Sequence, residues 1–163
     1  MQQRSSAADA GGGMISLGGF VLLVVAVAAS GTLFSPGAWY QALAKPAWTP
    51  PNWIFAIAWL LLYPLIAVAG WLVWRQVGLR GARFGFSVYG LQLLLNAAWS
   101  WLFFDLHRID LALLDVVALW ITILLTILAF RAARPLAAWL LLPYLLWVAY
   151  ATALNLAIWR LNP

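Results

Sequence analysis

Cysteine is absent from this chain of 163 residues, and charged residues make up only 8% of it. The lack of cysteine excludes disulfides, thiolate nucleophiles and cysteine-ligated metals. Soluble domains carry about a quarter charged residues. Because so few charges cannot cover a globular surface in water, the sequence predicts an integral membrane protein.

Signatures of catalysis and of metal binding are missing as well. The single histidine, His107, lies in a short polar turn beside Asp105 and Arg108, where a solvated side chain is the ordinary outcome. No HExxH, Walker A, GxSxG or dinucleotide-binding motif occurs. We therefore predict no catalytic residue, no metal site and no required cofactor.

Apolar residues, by contrast, make up 66% of the chain, and its mean hydropathy is +0.96. A bilayer core about 30 Å thick needs about 20 apolar residues in a helix. The apolar residues run continuously instead of alternating, which favours helices over strands. The predicted fold class is an all-α membrane protein, a single domain over 14–163 that forms a bundle of five transmembrane helices. The small, polar residues 1–13 are predicted to be a disordered tail. The predicted spans are 14–34, 52–74, 84–104, 109–130 and 135–159.

Basic residues outnumber acidic ones by nine to four, and the pI is near 10.3. They are scattered among the connections and form no basic face, so no nucleic-acid partner is predicted. Five spans put six arginines on the side of the N-terminus and three basic residues on the other side. The positive-inside rule then places the N-terminus in the cytoplasm and the C-terminus outside. We expect a bacterial inner membrane, with an outer-membrane location left open.

Polar residues within the apolar runs are candidates for function, because burying them unpaired in a membrane is costly. Gln92 and Asn96 are four residues apart and share a helix face, which Trp99 extends. Hydrogen bonds between helices and a ligand cavity lined by amides both explain this face. Asp115 is the one carboxylate well inside an apolar run, and either a structural partner or a place in a binding site accounts for it.

Twelve tryptophans are more than two interfacial belts require. The connection 45–53 reads KPAWTPPNW, and its prolines exclude a regular helix interior or a central strand. Its rings, Trp48 and Trp53, either close over a flat apolar ligand or anchor the next helix at the membrane interface. Rings farther from the helix ends suit a cavity wall instead, and these are Trp59, Trp99 and Trp147.

Four stretches combine these features: WYQALAKPAWTPPNWIF (39–55), QLLLNAAWSWLFF (92–104), ALLDVV (112–117) and PYLLWVAYATALNLAIWRLN (143–162). Together they resemble the TspO/translocator protein family, whose members are also called tryptophan-rich sensory proteins or peripheral-type benzodiazepine receptors. The similarity runs from about residue 31 to residue 162 in the same five-helix order. Several long motifs in the right sequence make this resemblance specific.

The resemblance implies a homodimeric five-helix bundle with a pocket that opens toward the connection between the first two helices. It implies binding of porphyrins and related tetrapyrroles, such as protoporphyrin IX or haem, and of benzodiazepine-site ligands such as isoquinoline carboxamides. Membrane lipid is the other expected partner. The site residues carried over by motif, with the aromatic rings of the connection, are Tyr40, Trp48, Pro50, Trp53, Phe55, Trp59, Tyr63, Asn96, Trp99, Asp115, Trp147, Ala151 and Leu154.

Sterol binding, which the resemblance implies for animal members, is not carried over. The sterol motif requires a tyrosine between a branched and a basic residue, and Leu156 stands in that place here. The leading hypothesis is a tetrapyrrole receptor that senses or transports its ligand. A porphyrin-degrading enzyme that uses light and oxygen is the alternative, and a scaffold without a working pocket is a third.

Overall fold

The computed structural model describes the backbone of residues 3–34 and 36–163 and the side chains of residues 14–34 and 36–163. Helices account for most of this part of the chain, and the order of the elements follows the predicted spans. The elements are α1 (Gln3–Leu33), α2 (Ala38–Ala42), α3 (Asn52–Gly81), α4 (Arg83–Ser100), a π-helical turn (Trp101–Asp105), α5 (Ile109–Ala133) and α6 (Pro135–Leu161).

Proline and glycine mark several of the helix boundaries. Pro51 precedes α3 and Pro135 occupies the first turn of α6, where the missing N–H leaves no hydrogen bond unmade. Within α3, Gly78 has a φ of 65° and interrupts the helical backbone near its end. His107 has a φ of 55° in the turn before α5. From α3 onward the long helices therefore follow one another through very short connections, which makes these neighbours antiparallel.

Four helices in the described part of the chain are long and apolar enough to cross a membrane, namely α1 from Met14, α3, α5 and α6. Helix α4 is not among these four. It is less apolar because it carries Arg83, Gln92 and Asn96 over its 18 residues. The prediction of an all-helical protein is confirmed over the described residues. The fifth spanning helix stays a prediction.

Glycine allows the closest approaches between helices. A Cβ at Gly70 in α3 would lie 2.8 Å from the Phe20 ring of α1 and 2.9 Å from the Tyr89 ring of α4. A Cβ at Gly85 in α4 would lie 3.1 Å from the Phe130 ring of α5. The end of the bundle that holds these glycines is therefore tightly packed, and Phe130 is fully buried there.

Helix α1 lies at the edge of the bundle. Only 6% of its apolar 18-residue window is buried, against 44% for α5. Its backbone is helical from Gln3, so it begins inside the segment predicted to be a disordered tail. Residues 1 and 2 lie outside the described part of the chain.

Candidate ligand-binding site

A cavity of about 580 Å³ lies in the half of the bundle that faces the connection between α1 and α3. Its walls come from all the long helices and are mostly apolar, with aromatic rings from three of them. Its residues are Ala28, Gly31, Thr32, Pro36, Tyr40, Asn52, Phe55, Ala56, Trp59, Leu60, Tyr63, Asn96, Trp99, Ser100, Phe103, Phe104, Val116, Leu119, Trp147, Val148, Ala151, Leu154, Asn155 and Ile158.

Helix α3 supplies an aromatic row to the cavity. Phe55, Trp59 and Tyr63 are spaced four apart, so their side chains lie on one face of the helix. Trp59 stacks on Tyr63 with ring centroids 5.0 Å apart and an interplanar angle of 24°. Phe55 meets the edge of Trp147 from α6 at 5.5 Å. These contacts fix flat apolar surfaces along one wall.

A chain of hydrogen bonds joins three helices beside this wall. The Tyr63 hydroxyl donates to Asn96 Oδ1 at 3.3 Å, and Asn96 Nδ2 donates to the Tyr144 hydroxyl at 3.0 Å. Tyr144 in turn donates to Gln92 Oε1 at 2.8 Å. Asn96 and Tyr63 also line the cavity, whereas Gln92 and Tyr144 are buried behind it. Asn96 therefore serves both the helix contacts and the cavity wall.

A second amide, Asn155 of α6, positions the ring of Trp99. Trp99 Nε1 donates to Asn155 Oδ1 at 3.1 Å, and Asn155 Nδ2 donates to the Ile109 carbonyl at 3.1 Å. Trp99 also stacks on Phe103 of the π-helical turn, with ring centroids 5.0 Å apart. Because the indole N–H is already used, Trp99 presents mainly its apolar surface to the cavity.

Helix α2 and the residues after it close the cavity at its connection end. Tyr40 is 7% exposed and meets the rings of Phe103 and Phe104 edge to face. Burial, and after it the nearby Tyr150, raise the pKa of the Tyr40 phenol, so this closing ring stays neutral. Lys45 Nζ lies 4.6 Å from the centre of the Tyr40 ring.

The rest of the connection is held against α6. Lys45 Nζ donates to the Gln41 and Leu43 carbonyls, at 3.2 and 3.1 Å. The Tyr150 hydroxyl donates to the Trp48 carbonyl at 3.1 Å, and the two rings pack edge to face at 5.7 Å. The Lys45 ammonium group is therefore occupied by backbone carbonyls, and Trp48 holds the connection against α6.

Asn162 makes the last attachment of the connection. The Ala44 N–H donates to Asn162 Oδ1 at 3.0 Å, and Asn162 Nδ2 donates to the Ala44 carbonyl at 2.9 Å. This pair of bonds joins the connection to the residue that follows α6, at the same end of the bundle. The connection is therefore fastened at two points, through Trp48 to Tyr150 of α6 and through Ala44 to Asn162 just after α6.

The sequence model of the TspO/MBR family matches residues 20–160, which is most of the chain and includes every helix that lines the cavity. The chain belongs to the TspO/MBR family. With its four apolar helices, this membership makes it an integral membrane protein.

Named relatives support the same assignment. Protein CrtK of Rhodobacter capsulatus is 39% identical over 157 residues, which cover 91% of this chain and 96% of its own. The tryptophan-rich sensory protein of Cereibacter sphaeroides is 37% identical over 143 residues, with 88% and 89% covered. The translocator protein of Homo sapiens is 38% identical over 126 residues, with 76% and 75% covered.

Most of the residues predicted for the site of this TspO/MBR protein surround the cavity. Whether they contact a ligand stays a prediction. Those that line the cavity are Tyr40, Phe55, Trp59, Tyr63, Asn96, Trp99, Trp147, Ala151 and Leu154. Trp48, Pro50 and Trp53 do not line it, because the connection lies against α6 at Trp48 and because Trp53, 62% exposed, lies on the outside of α3.

Asp115 is buried but does not line the cavity either. Its neighbour Val116 does, because consecutive residues of α5 point about 100° apart. Within the described part of the chain Asp115 Oδ2 has no hydrogen-bond partner, and neither has Gln92 Nε2. The carboxyl group therefore lies behind the cavity wall.

Sequence reasoning missed several cavity residues, among them Asn155 of α6 and two small residues of α1. Asn155 follows Ala151 by four residues, and this spacing together with a polar side chain in an apolar run could have identified it. Ala28 and Gly31 of α1 also line the cavity. Small residues in an apolar helix carry no signal that separates a cavity wall from a lipid-facing surface.

Proposed function

We propose that this protein is a receptor for porphyrins and related tetrapyrroles, which bind in the cavity within a bundle of five transmembrane helices. The observation that carries the proposal is an aromatic cavity of about 580 Å³, within the range of about 300–1,000 Å³ typical of small-molecule sites. The names of two relatives, a sensory protein and a translocator protein, agree with a receptor that senses or transports its ligand.

The chemistry of the walls favours a flat, largely apolar ligand. Rings such as Trp59 and Trp147 offer stacking and edge contacts to a conjugated macrocycle, which contribute beyond the burial of apolar area. A small polar set, with Asn96 and Ser100, supplies hydrogen bonds that fix orientation. Isoquinoline carboxamides combine fused aromatic rings with one amide, so they suit the same walls.

An equilibrium titration tests the proposal. Protoporphyrin IX, haem and an isoquinoline carboxamide are added separately to the purified protein in detergent, and quenching of tryptophan fluorescence is recorded. We expect saturable binding that weakens in Trp59→Ala, because that ring contributes wall area. The matched control is Trp139→Ala, whose ring is 68% exposed on α6 and is not part of the cavity wall. Quenching that does not saturate, or equal loss in both variants, would refute the proposal.

A second candidate function is degradation of the bound porphyrin by light and oxygen. Three indole rings on the cavity wall favour it, because a porphyrin there would be a photosensitiser in contact with oxidisable side chains. These rings belong to Trp59, Trp99 and Trp147. Incubation with protoporphyrin IX in the dark and under illumination, followed by product analysis, separates the two functions. A receptor leaves the porphyrin unchanged in the dark and, under illumination, degrades it no faster than the same detergent solution without protein.

The proposal includes an assembly and a location. We expect a homodimer in a bacterial inner membrane with the N-terminus in the cytoplasm. Chemical crosslinking in native membranes tests the homodimer. Reporter fusions after Arg134 and after Pro163 test the orientation.

A further inference from the structure

A gap between α1 and α3 connects the cavity with the outside of the bundle. Two rows of cavity residues border it. The row from α3 has a four-residue spacing and comprises Asn52, Ala56 and Leu60, while the row from α1 comprises Ala28, Gly31 and Thr32. We call this gap the portal. All of these residues except the half-buried Ala28 are exposed.

The portal lies at membrane depth. Leu60 is eight residues after Asn52, so it lies about 12 Å along α3 from the start of the helix, at 1.5 Å per residue. The uncharged part of α3 runs from Asn52 to Trp74, so a hydrocarbon core about 30 Å thick over this part includes the position of Leu60. Leu60 borders the cavity and is nevertheless 73% exposed. The cavity therefore opens toward the acyl chains, and small residues such as Ala56 and Gly31 leave the opening wide.

Contacts between α1 and α3 close the gap toward the other end of these helices. Trp71 Nε1 donates to Ser16 Oγ at 3.2 Å, and the Phe20 ring lies against Gly70. Val24 and Val27 continue the buried face of α1 as far as the cavity residue Ala28. The gap is thus bordered by α1, the helix that buries least of its surface.

By contrast, the connection end of the cavity is closed where it faces the π-helical turn and α6. Tyr40 fills that end with Phe103 and Phe104 against it. The connection beyond it is fastened to α6 through Ala44 and Asn162. A ligand entering between the connection and α6 would have to break these contacts, whereas the gap between α1 and α3 is bordered by exposed residues from Pro36 and Asn52 at its outer end to Leu60 at its inner end.

We propose that the ligand enters and leaves the cavity through the portal, directly from the bilayer, while the connection remains closed. This inference rests on the proposed function and defines the substrate class more narrowly. The ligands are flat molecules that partition into the membrane before they bind. Binding from the aqueous phase is then limited by transfer into the lipid.

Narrowing the portal tests the inference. A Cβ at Gly31 would have only Ser100 Oγ near it, at 3.9 Å, so Gly31→Phe has room for a side chain in the opening. The control is Gly18→Phe on the same helix, where nothing lies within 4 Å. Protoporphyrin IX is supplied in the lipid of donor vesicles fused with proteoliposomes, and porphyrin fluorescence reports binding. We expect association and dissociation to slow by about tenfold or more in Gly31→Phe and to be unchanged in Gly18→Phe.

Locking the connection is the complementary test. The described part of the chain has no cysteine, and none occurs in the whole sequence. Ala44→Cys with Asn162→Cys therefore introduces one thiol pair at a contact that already joins the two segments. We expect the same association rate before and after oxidation to the disulfide. Slower binding on oxidation, reversed by reduction, would show that the connection must open and would overturn the portal.

A second portal variant keeps the test independent of how Gly31→Phe folds. Ala56→Phe narrows the same opening from α3, and Ala153→Phe on the exposed face of α6 is its control. Suppose that the unmodified protein binds protoporphyrin IX at equilibrium and that both portal variants keep its association and dissociation rates. Entry through the portal would then be refuted, while the proposed function would stand. Absence of binding to the unmodified protein would overturn the proposed function, and this inference with it.

Discussion

Asn96 lies where the cavity wall meets the hydrogen bonds between helices. It accepts a hydrogen bond from Tyr63 and donates one to Tyr144, while its side chain borders the cavity. Asn96→Leu should therefore lower both ligand affinity and stability, the latter by roughly 1 kcal/mol as is usual for hydrogen bonds between membrane helices. Porphyrin titration and thermal unfolding without ligand measure the two effects.

Gln92→Leu provides the matched control for that prediction. Gln92 accepts a hydrogen bond from the same Tyr144 but is 1% exposed and lies outside the cavity lining. We expect it to lower stability and to leave affinity unchanged. If Asn96→Leu also keeps its affinity while unfolding more easily, Asn96 serves helix contacts alone.

Ala151 keeps space open in front of the aromatic wall. It lines the cavity four residues after Trp147 on α6. Ala151→Thr should leave the bundle folded, because the larger side chain extends into the cavity. It should weaken binding of bulky ligands, because added volume costs about 1–3 kcal/mol once the ligand packs that space. The control is Ala149→Thr, on the exposed face of the same helix. Equal protoporphyrin IX affinity in the two variants would remove Ala151 from the site.

At the scale of single residues, helical spacing explains why much of the site could be predicted. Residues four apart, such as Trp59 and Tyr63, must share a face, and one cavity residue then identifies the others. Asp115 shows the limit of this reasoning, because a shift of one residue around the helix moves a side chain from the cavity wall to the layer behind it. Polarity identifies a buried group but not the direction in which it points.

The connection between α1 and α3 is the element whose position in the structure differs most from the role that the sequence suggested. Its composition suggested a lid with Trp48 over the ligand, but the Trp48 ring packs on Tyr150 and its carbonyl accepts the Tyr150 hydroxyl. Trp48→Ala should therefore lower stability by about 0.5–1.5 kcal/mol, the usual contribution of an aromatic pair, and leave porphyrin affinity unchanged. Unfolding and titration measurements on one protein preparation check both parts.

Trp59→Ala is the control for the connection. It removes a ring of the same size from the cavity wall, so it should lower affinity where Trp48→Ala does not. An affinity loss in Trp48→Ala that equals the loss in Trp59→Ala would restore the lid hypothesis. Both variants keep eleven of the twelve tryptophans, so the fluorescence signals remain comparable.

Long elements could be predicted from the sequence and short ones could not. An apolar run of about 20 residues has few structural alternatives in a membrane, which accounts for α5 and α6. Helix α2, with only 5 residues, and the π-helical turn, also of 5, have no periodicity to detect. The turn nevertheless brings two consecutive rings, Phe103 and Phe104, to the cavity. Their geometry depends on packing against Tyr40, which lies far away in sequence.

At the scale of the whole molecule, the charges and the helices together predict a topology. The junctions between α3 and α4 and between α5 and α6 lie at one end of the bundle and carry exposed arginines, among them Arg83 and Arg134. The opposite end carries Lys45, Arg108 and Arg160. An excess of positive charge marks the cytoplasmic end. The span with the least support is α4, because its polar residues make it the least apolar of the long helices.

Two reporter fusions test both the orientation and the passage of α4 through the membrane. An alkaline phosphatase that is active only outside the cytoplasm is fused after Arg134, in place of α6, and separately after Pro163. If α4 spans the membrane, four helices precede the first fusion and five precede the second. The first should then be inactive and the second active. If α4 does not span, the two results are exchanged, because each fusion has one crossing fewer before it.

Reversed activities with cytoplasmic accessibility of the N-terminus would therefore refute the five-span bundle. The same reversal with an external N-terminus would refute the orientation instead. A green fluorescent protein at the same two positions, fluorescent only in the cytoplasm, should give the complementary pattern and controls for expression.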